Sequence, residues 1–259
     1  MTTASLEGVG VLITRAAEQS ESMSRALEEL GATPLVFPTI QCIPLRDPAG
    51  LGIALEKIGS YDALIFTSAN GTRFFVDHLR EARIDMKLIP PAVCVGPRTA
   101  EAWRVEGGRV FTVPDEYTGE MIQNALGGHL SGKIYLVLRP QTVKKELGKA
   151  LRDVGAVVDE IVLYRTESID RGRNELKQLL ARNFIDIITF TSPSSVQGLA
   201  HLLGSLREVR DIPCMCVGPT TAVTAEREGM KRVYYPEEYT VDGMLRMLPT
   251  LIVEGSERR

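Results

Sequence analysis

Four short polar segments hold the side chains of this 259-residue chain that are best suited to ligand chemistry. Each follows an apolar run and precedes a helical pattern: residues 67–71 (TSANG), 96–99 (GPRT), 191–195 (TSPSS) and 218–221 (GPTT). They offer hydroxyl and backbone N–H groups, and none contains an acidic residue. The proline of each Gly-Pro step, Pro97 or Pro219, suits the first position of a helix, where free N–H groups and the helix dipole attract anions. The pattern predicts paired anion-binding turns, although such residues also serve simply as helix caps.

Other kinds of catalytic site have no support in the sequence. The chain lacks the glycine-rich signatures of dinucleotide and nucleoside triphosphate sites, and those of zinc hydrolases, serine hydrolases and kinases. Its three histidines are scattered, and the spacing of Cys42, Cys94, Cys214 and Cys216 does not suit zinc. We therefore expect no metal site and interpret these cysteines as buried apolar residues. The net charge of −3 argues against a nucleic-acid partner.

The length and composition of the chain favour two globular domains. With 44% hydrophobic residues, each half is long enough to bury its own core without disulfides or metals. Residues 1–21 lack the charged and apolar regions of a secretion signal, and no segment approaches the roughly 20 apolar residues that span a bilayer. We therefore expect a cytoplasmic protein with no membrane partner.

The chain also contains an internal repeat, because several segments recur in the same order 122 to 124 positions later. The pairs are 11–15 (VLITR) with 135–139 (YLVLR), 61–71 (YDALIFTSANG) with 185–195 (IDIITFTSPSS), 94–100 (CVGPRTA) with 216–222 (CVGPTTA), and 114–118 (PDEYT) with 236–240 (PEEYT). A period this long indicates duplicated domains rather than a solenoid of short repeats.

Within each repeat, short apolar runs alternate with helical patterns. The first reads as strands at 9–14, 35–37, 63–67, 92–95 and 110–113, with helices at 18–30, 51–58, 70–79 and 99–105. This alternation predicts an α/β fold with parallel sheets, in which ligands bind outside the carboxyl ends of the strands. In the E-Y-T segments we interpret Thr118 and Thr240 as helix caps and Tyr117 and Tyr239 as hydrophobic staples, and we place Trp103 in the core.

Taken together, these segments resemble one enzyme family. The repeated F-T-S turns, the two V-G-P-x-T-A segments, the opening V-L-I-T-R with a downstream F-P, and residues 162–166 (VLYRT) resemble uroporphyrinogen-III synthase, from about Val9 to Leu248. The resemblance implies two flavodoxin-like domains joined by a two-stranded linker. It assigns residues 1–37 with 168–259 to one domain, 42–161 to the other, and 38–41 with 162–167 to the linker. The order of the repeats alone would instead suggest a cut near Gly132.

The resemblance also implies a reaction. Members of the family cyclise hydroxymethylbilane to uroporphyrinogen III in tetrapyrrole synthesis, with loss of water and inversion of the terminal pyrrole ring. They are lyases that use no cofactor. The substrate has eight carboxylates, which suits a cleft between domains lined by helix N-termini and hydroxyl groups. We expect a monomer, because such a cleft must open and shut. A non-catalytic two-domain receptor for a polycarboxylate remains the alternative.

Site residues follow from the same resemblance. Tyr164 corresponds to the family's tyrosine at the domain linker and is the candidate proton donor to the leaving hydroxyl; a tyrosine that only packs the hinge is the alternative. Arg15 and Arg139, at equivalent strand ends, would bind carboxylates or remain solvated charges. The substrate-binding positions carried over from the family are Thr14, Arg15, Ser68, Asn70, Gly71, Thr99, Arg139, Ser192, Ser194, Ser195, Thr220 and Thr221.

Overall fold

The computed structural model of the protein describes residues 5–16, 20–114, 119–127, 130–142 and 146–256. Contacts between Cα atoms divide the chain into two units: unit 1 comprises Met1–Gln41 and Glu167–Arg259, and unit 2 comprises Cys42–Thr166. The domain and linker boundaries that the resemblance implies remain a prediction. Tyr117, Thr118 and His129 lie outside the described residues.

Strands and helices alternate along the described chain. The strands are β1 (Gly10–Ile13), β2 (Thr33–Val36), β3 (Ile40–Pro44), β4 (Ala63–Phe66), β5 (Ala92–Cys94), β6 (Val110–Thr112), β7 (Ile134–Pro140), β8 (Val157–Ser168), β9 (Ile187–Phe190), β10 (Cys214–Cys216) and β11 (Val233–Tyr234). The helices are α1 (Glu21–Glu29), α2 (Leu51–Glu56), α3 (Ala69–Glu81), α4 (Pro97–Val105), α5 (Gly119–Ala125), α6 (Glu146–Asp153), α7 (Arg173–Ala181), α8 (Pro193–Leu203), α9 (Pro219–Arg227) and α10 (Val241–Ser256).

Unit 1 is built on a parallel sheet with the strand order β11-β10-β9-β1-β2. If its strands are numbered by their order along the chain, the sheet reads 2-1-3-4-5 from one edge, which is the flavodoxin-like arrangement. The switch point of such a sheet, where the connections leave in opposite directions, lies between β1 and β9.

Unit 2 has the same arrangement in a different chain order. Its sheet runs β3-β8-β7-β4-β5-β6, and the pairs from β8 to β6 are parallel. Strand β7 takes the place of β1, and β4 takes the place of β9, so the switch point lies between β7 and β4. The predicted α/β class with parallel sheets is therefore confirmed. Strand β3 lies outside β8 as an added edge, and β8 is 12 residues long.

The two sheets share their register at the switch point. Val11 lies opposite Ile187 in unit 1, and Tyr135 lies opposite Ala63 in unit 2; the two pairs are 124 residues apart along the chain. An aspartate fixes this register in each unit. Asp186 Oδ2 accepts the N–H of Gly10 at 2.8 Å, and Asp62 Oδ2 accepts the N–H of Ile134 at the same distance.

Both faces of each sheet are covered by apolar residues. In unit 2, Trp103 is fully buried, with its ring centroid 4.8 Å from that of Phe66 and 6.5 Å from that of Phe75. The prediction that Trp103 belongs to the core is confirmed. In unit 1, Leu12 and Phe190 pack on one face of the sheet, and Val11 and Met244 pack on the other. The central strands of both sheets are thus buried, as is typical of parallel sheets that are covered by helices on both faces.

We predict that alanine at Gly10 destabilises the protein, because a Cβ there would lie 1.8 Å from the carbonyl oxygen of Phe184. Gly10→Ala should lower the apparent free energy of unfolding by about 1–3 kcal/mol, as overpacking does. Gly52 in α2 is the matched control, since a Cβ there meets nothing within 4 Å. Gly52→Ala should raise stability by about 0.5–1 kcal/mol. Equal urea-unfolding midpoints for the two variants would contradict this account.

Candidate functional site

The predicted binding residues cluster, within each unit, at the carboxyl ends of the central strands. In unit 1, Thr14 and Arg15 follow β1, and Ser192 follows β9. In unit 2, Arg139 lies near the end of β7, and Ser68 follows β4. These are the two switch points, where sheets of this class bind their ligands. The structure therefore brings the predicted residues together within each unit.

Ser68 and Ser192 begin α3 and α8 with matching geometry. Both have φ of −165°, with ψ of 154° and 157°. Ser68 Oγ accepts the N–H of Gly71 at 3.0 Å, and Ser192 Oγ accepts the N–H of Ser195 at 3.2 Å. Both serines are thus helix caps, which is the alternative role that the sequence left open for these turns. Each serine remains only half-buried.

The other hydroxyls of unit 1 differ in how far they are engaged by the protein. The buried Thr14 donates to the carbonyl oxygen of Thr189 at 2.7 Å. Ser195, also buried, donates to the carbonyl oxygen of Ser192 at 2.7 Å. Ser194 is half-buried, and its hydroxyl lies 3.0 Å from that of Ser192. Thr191, Ser192 and Ser194 are all half-buried, so their side chains are more accessible to solvent than that of Ser195.

Tyr164 in β8 contacts the serine cap of unit 2. Its phenol oxygen lies 2.9 Å from Ser68 Oγ, and its ring centroid is 5.2 Å from that of Phe74. Burial is the main cause that raises the pKa of Tyr164 to about 12, and Cys42 adds to the effect, whereas the Ser68 hydrogen bond and the Arg73 charge oppose it. The phenol is therefore protonated at neutral pH, which makes it a hydrogen-bond donor rather than a base.

Asn70, two residues after Ser68, interacts with a cysteine. Asn70 Nδ2 donates to Cys42 Sγ at 3.2 Å, and Thr166 Oγ1 lies 4.0 Å from the same sulfur. The interpretation of the cysteines as buried holds for Cys94, Cys214 and Cys216, but Cys42 is only partly buried. Its place beside Asn70 was not predicted, because the contact joins residues that lie 28 positions apart and belong to no recognisable motif.

Helices α4 and α9 supply the second turn of each unit. Pro97 and Pro219 open them, as predicted. Thr99 and Thr221 are buried in the first helical turn, whereas Thr220 is exposed. The free N–H groups of these first turns have the arrangement that binds anions. The exposed Arg98 of α4 stands in the position equivalent to Thr220 and adds a positive charge that was not predicted as part of the site.

The two strand-end arginines are buried, so the interpretation of them as solvated charges is wrong. Arg139 Nε donates to Glu160 Oε2 at 2.9 Å, and Arg139 Nη1 donates to the carbonyl oxygen of Pro140. Arg152 Nη1 donates to the other carboxylate oxygen of Glu160 at 2.9 Å. Arg139 therefore lies in an internal ion-pair network. The register places Val36 where unit 2 has Glu160, so unit 1 has no acidic residue at that position.

Gly148 makes room for the same network. A Cβ at this position of α6 would lie 2.0 Å from Glu160 Oε1.

No group of three or more histidine, cysteine or acidic residues within the described ranges is placed to hold a metal ion. No helix in the described part of the chain is long and apolar enough to cross a membrane.

Comparisons with known proteins identify related chains. A family model described as uroporphyrinogen-III synthase HemD matches residues 21–246. The uroporphyrinogen-III synthase of Synechococcus elongatus is 27% identical over 93% of this chain and 94% of that protein. The porphyrin biosynthesis protein HemD of Ruminiclostridium josui is 27% identical over 94% of this chain, which spans about half (48%) of that protein.

A solved structure has the same fold. The crystal structure of a mutant uroporphyrinogen III synthase from the bacterium Thermus thermophilus matches with a TM-score of 0.63 at 20% identity. The match covers 95% of this chain and 99% of that one. At this identity the match shows a common fold alone.

We predict that the Glu160 carboxylate stabilises unit 2 strongly, because its side chain is 12% exposed and pairs with two arginines. Glu160→Gln should lower the free energy of unfolding by about 3 kcal/mol or more, since it removes a carboxylate charge that pairs with the buried Arg139. Asp211 is the matched control: it also pairs with two cations, Arg210 and Lys231, but its side chain is 70% exposed.

Asp211→Asn should therefore change the free energy of unfolding by less than about 1 kcal/mol. Urea unfolding at pH 7 measures both variants. If Glu160→Gln were as mild as Asp211→Asn, the ion-pair network would not contribute to the stability of unit 2.

Proposed function

The chain belongs to the uroporphyrinogen-III synthase family of tetrapyrrole-synthesis enzymes, and on this premise we propose that it cyclises hydroxymethylbilane to uroporphyrinogen III as a lyase without a cofactor. The reaction removes one water molecule and inverts the terminal pyrrole ring.

The duplicated switch-point turns are the observation that best supports this substrate. Ser68 and Ser192 have the same backbone conformation, and each stands at the start of a helix at the carboxyl edge of a parallel sheet. The four predicted binding segments contain hydroxyls and backbone N–H groups but no carboxylate. Such turns bind carboxylates without needing a large positive net charge. A substrate with eight carboxylates can use turns of both units.

The chemistry needs orientation more than acid or base strength. The C–O bond to the hydroxyl breaks, and the oxygen keeps the bonding electrons and gains a proton to leave as water. The terminal pyrrole then attacks the resulting azafulvene cation through its substituted carbon and forms a spiro intermediate. Reopening and reclosure of that ring give isomer III, whereas the free bilane closes without inversion to isomer I. An enzyme that holds the chain folded favours the first outcome.

We assign the proton-donating role to Tyr164 acting with Ser68. Tyr164 is 5% exposed, and its oxygen lies 2.9 Å from Ser68 Oγ, which accepts the N–H of Gly71 as well. If the phenol donates to Ser68, the serine hydroxyl hydrogen is left to point at the substrate. In this proposal the pair polarises the leaving hydroxyl through a relay, and the pKa of about 12 keeps the phenol in its donor form.

The function is tested by a coupled assay. Hydroxymethylbilane is generated in situ, the purified protein is added, and the oxidised products are separated into isomers I and III. Predominantly isomer III is the expected result. Isomer I formed at the uncatalysed rate would rule out the synthase activity, and a bilane that is bound but unchanged would favour the polycarboxylate receptor.

We predict that Tyr164→Phe lowers kcat several-fold without abolishing turnover, because the substrate remains oriented after the donor is lost. Tyr61 is the matched control, since its buried phenol also donates to a side chain, Asp159 Oδ2 at 2.7 Å, away from the switch point. Tyr61→Phe should leave kcat unchanged.

A double-mutant cycle separates the relay from two independent contributions. If Tyr164 acts through Ser68, the variant with both Ser68→Ala and Tyr164→Phe should be no slower than the slower single variant. If the rate losses of the two single variants multiply in the double variant, Tyr164 does not act through Ser68. An unchanged rate in Tyr164→Phe would show that Tyr164 has no part in the mechanism.

A further inference from the structure

Two tyrosines of unit 1 form an exposed aromatic pair after β11. Tyr235 is 44% exposed and Tyr239 is 59% exposed, and their ring centroids are 6.3 Å apart with an angle of 59° between the ring planes. Exposed aromatic rings that stand side by side are unusual on a protein surface and are typical of places where a ligand or partner binds.

The backbone that presents Tyr239 is held in place by the start of α10. Thr240 Oγ1 accepts the N–H of Gly243 at 3.0 Å, so the predicted cap is confirmed. Glu238 forms an ion pair with Arg246. A Cβ at Gly243 would lie 2.2 Å from the carbonyl oxygen of Glu238, so the two backbone segments are in close contact. The ring is therefore presented by a fixed turn rather than by a loose loop.

The Tyr239 ring does not have the burial expected of a hydrophobic staple. It packs instead over Gly218, where a built Cβ would lie 3.3 Å from the Tyr239 Cγ atom. Gly218 precedes Pro219 and caps the N-terminus of α9. The aromatic pair therefore borders the first turn of α9, which contains the exposed Thr220.

We propose that Tyr239, supported by Tyr235, is the surface on which one pyrrole ring of the bilane stacks while a carboxylate of that ring reaches the start of α9. This inference rests on the proposed function and adds a positioning residue to it. A pyrrole is flat and electron-rich, so an offset or edge-on contact with a phenol ring is favourable. An aromatic surface that suits the rings of the substrate thus lies beside a helix N-terminus that suits its carboxylates.

The nearby charges fit this orientation. Glu238 is compensated by Arg246, whereas Glu237 is exposed and its negative charge repels carboxylates. Carboxylates of the stacked ring are therefore directed away from residue 237 and toward the N–H groups of α9.

The pair belongs to one repeat only. Residues 236–240 correspond to 114–118, so Tyr239 corresponds to Tyr117, but Tyr235 corresponds to Val113. Two aromatic rings at these positions are thus possible in unit 1 and not in unit 2. The inference therefore assigns the stacked pyrrole to unit 1, and it gives the two units different tasks in binding a substrate whose ends differ.

The decisive experiment compares three variants in steady-state assays with hydroxymethylbilane. Tyr239→Leu removes the aromatic face and keeps apolar bulk, and it should raise KM about three- to tenfold with a smaller change in kcat. Tyr239→Phe keeps the ring and should resemble the wild type. Phe184→Leu is the control. Phe184 is also exposed (51%) in unit 1, but it lies beside Gly10, at the amino-terminal end of β1.

Product analysis of the same reactions gives a second readout, since a poorly held ring should let more bilane close to isomer I. Thermal melting should not differ among the variants. Tyr235→Leu serves if Tyr239→Leu does not fold, and it should shift KM in the same direction.

Some outcomes would overturn the inference alone. If the wild type makes isomer III and Tyr239→Leu has an unchanged KM, the stacking surface is refuted and the synthase activity stands. Equal losses in Tyr239→Phe and Tyr239→Leu would assign the effect to the hydroxyl and refute stacking. A change in sedimentation without a change in KM would make the pair a self-association surface. A wild type that yields only isomer I would instead refute the proposed function.

Discussion

Both candidate sites depend on the hydrogen-bonded pairing of two central strands, β1 with β9 in unit 1 and β7 with β4 in unit 2. This pairing decides which turns emerge side by side at the carboxyl edge of each sheet. An aspartate fixes it in both units by accepting a backbone N–H at 2.8 Å from the first residue of the neighbouring strand. In unit 2 the aspartate, Asp62, also pairs with Lys133, and these two bonds hold its pKa below the usual range. A slip of one residue would turn every side chain of a strand to the other face.

The same geometry is used differently by the two units. Arg139 is engaged by Glu160 inside unit 2, whereas Val36 stands at the equivalent position of unit 1. The serine cap of unit 2 contacts Tyr164, and that of unit 1 contacts Ser194. Duplication therefore preserved the backbone frame while the side chains around it changed. A ligand with several similar carboxylates but distinct ends needs such a frame, because identical sites could not distinguish its two ends.

Local chemistry explains what the sequence predicted. Proline at the start of α4 and α9, serine caps on α3 and α8, and alternation of apolar runs with helical patterns all reflect preferences of neighbouring residues. The family resemblance added the site residues. Cys42 beside Asn70, Glu160 beside Arg139, and the Tyr239 ring over Gly218 were not predicted. Each depends on residues brought together by the sheets, and a single sequence contains no local signal for such contacts.

The order in which the strands are synthesised has a further consequence. Strands β4 to β8 are contiguous along the chain, so every pairing of β4, β5, β6, β7 and β8 can form once residue 168 has left the ribosome. Strand β1 has β2 beside it early, but its other neighbour, β9, begins only at Ile187. During translation β1 must therefore wait, with one strand edge unpaired, until the second half of unit 1 is made. An unpaired strand edge can pair with the wrong strand, so β1 and β2 need protection from mispairing during this interval.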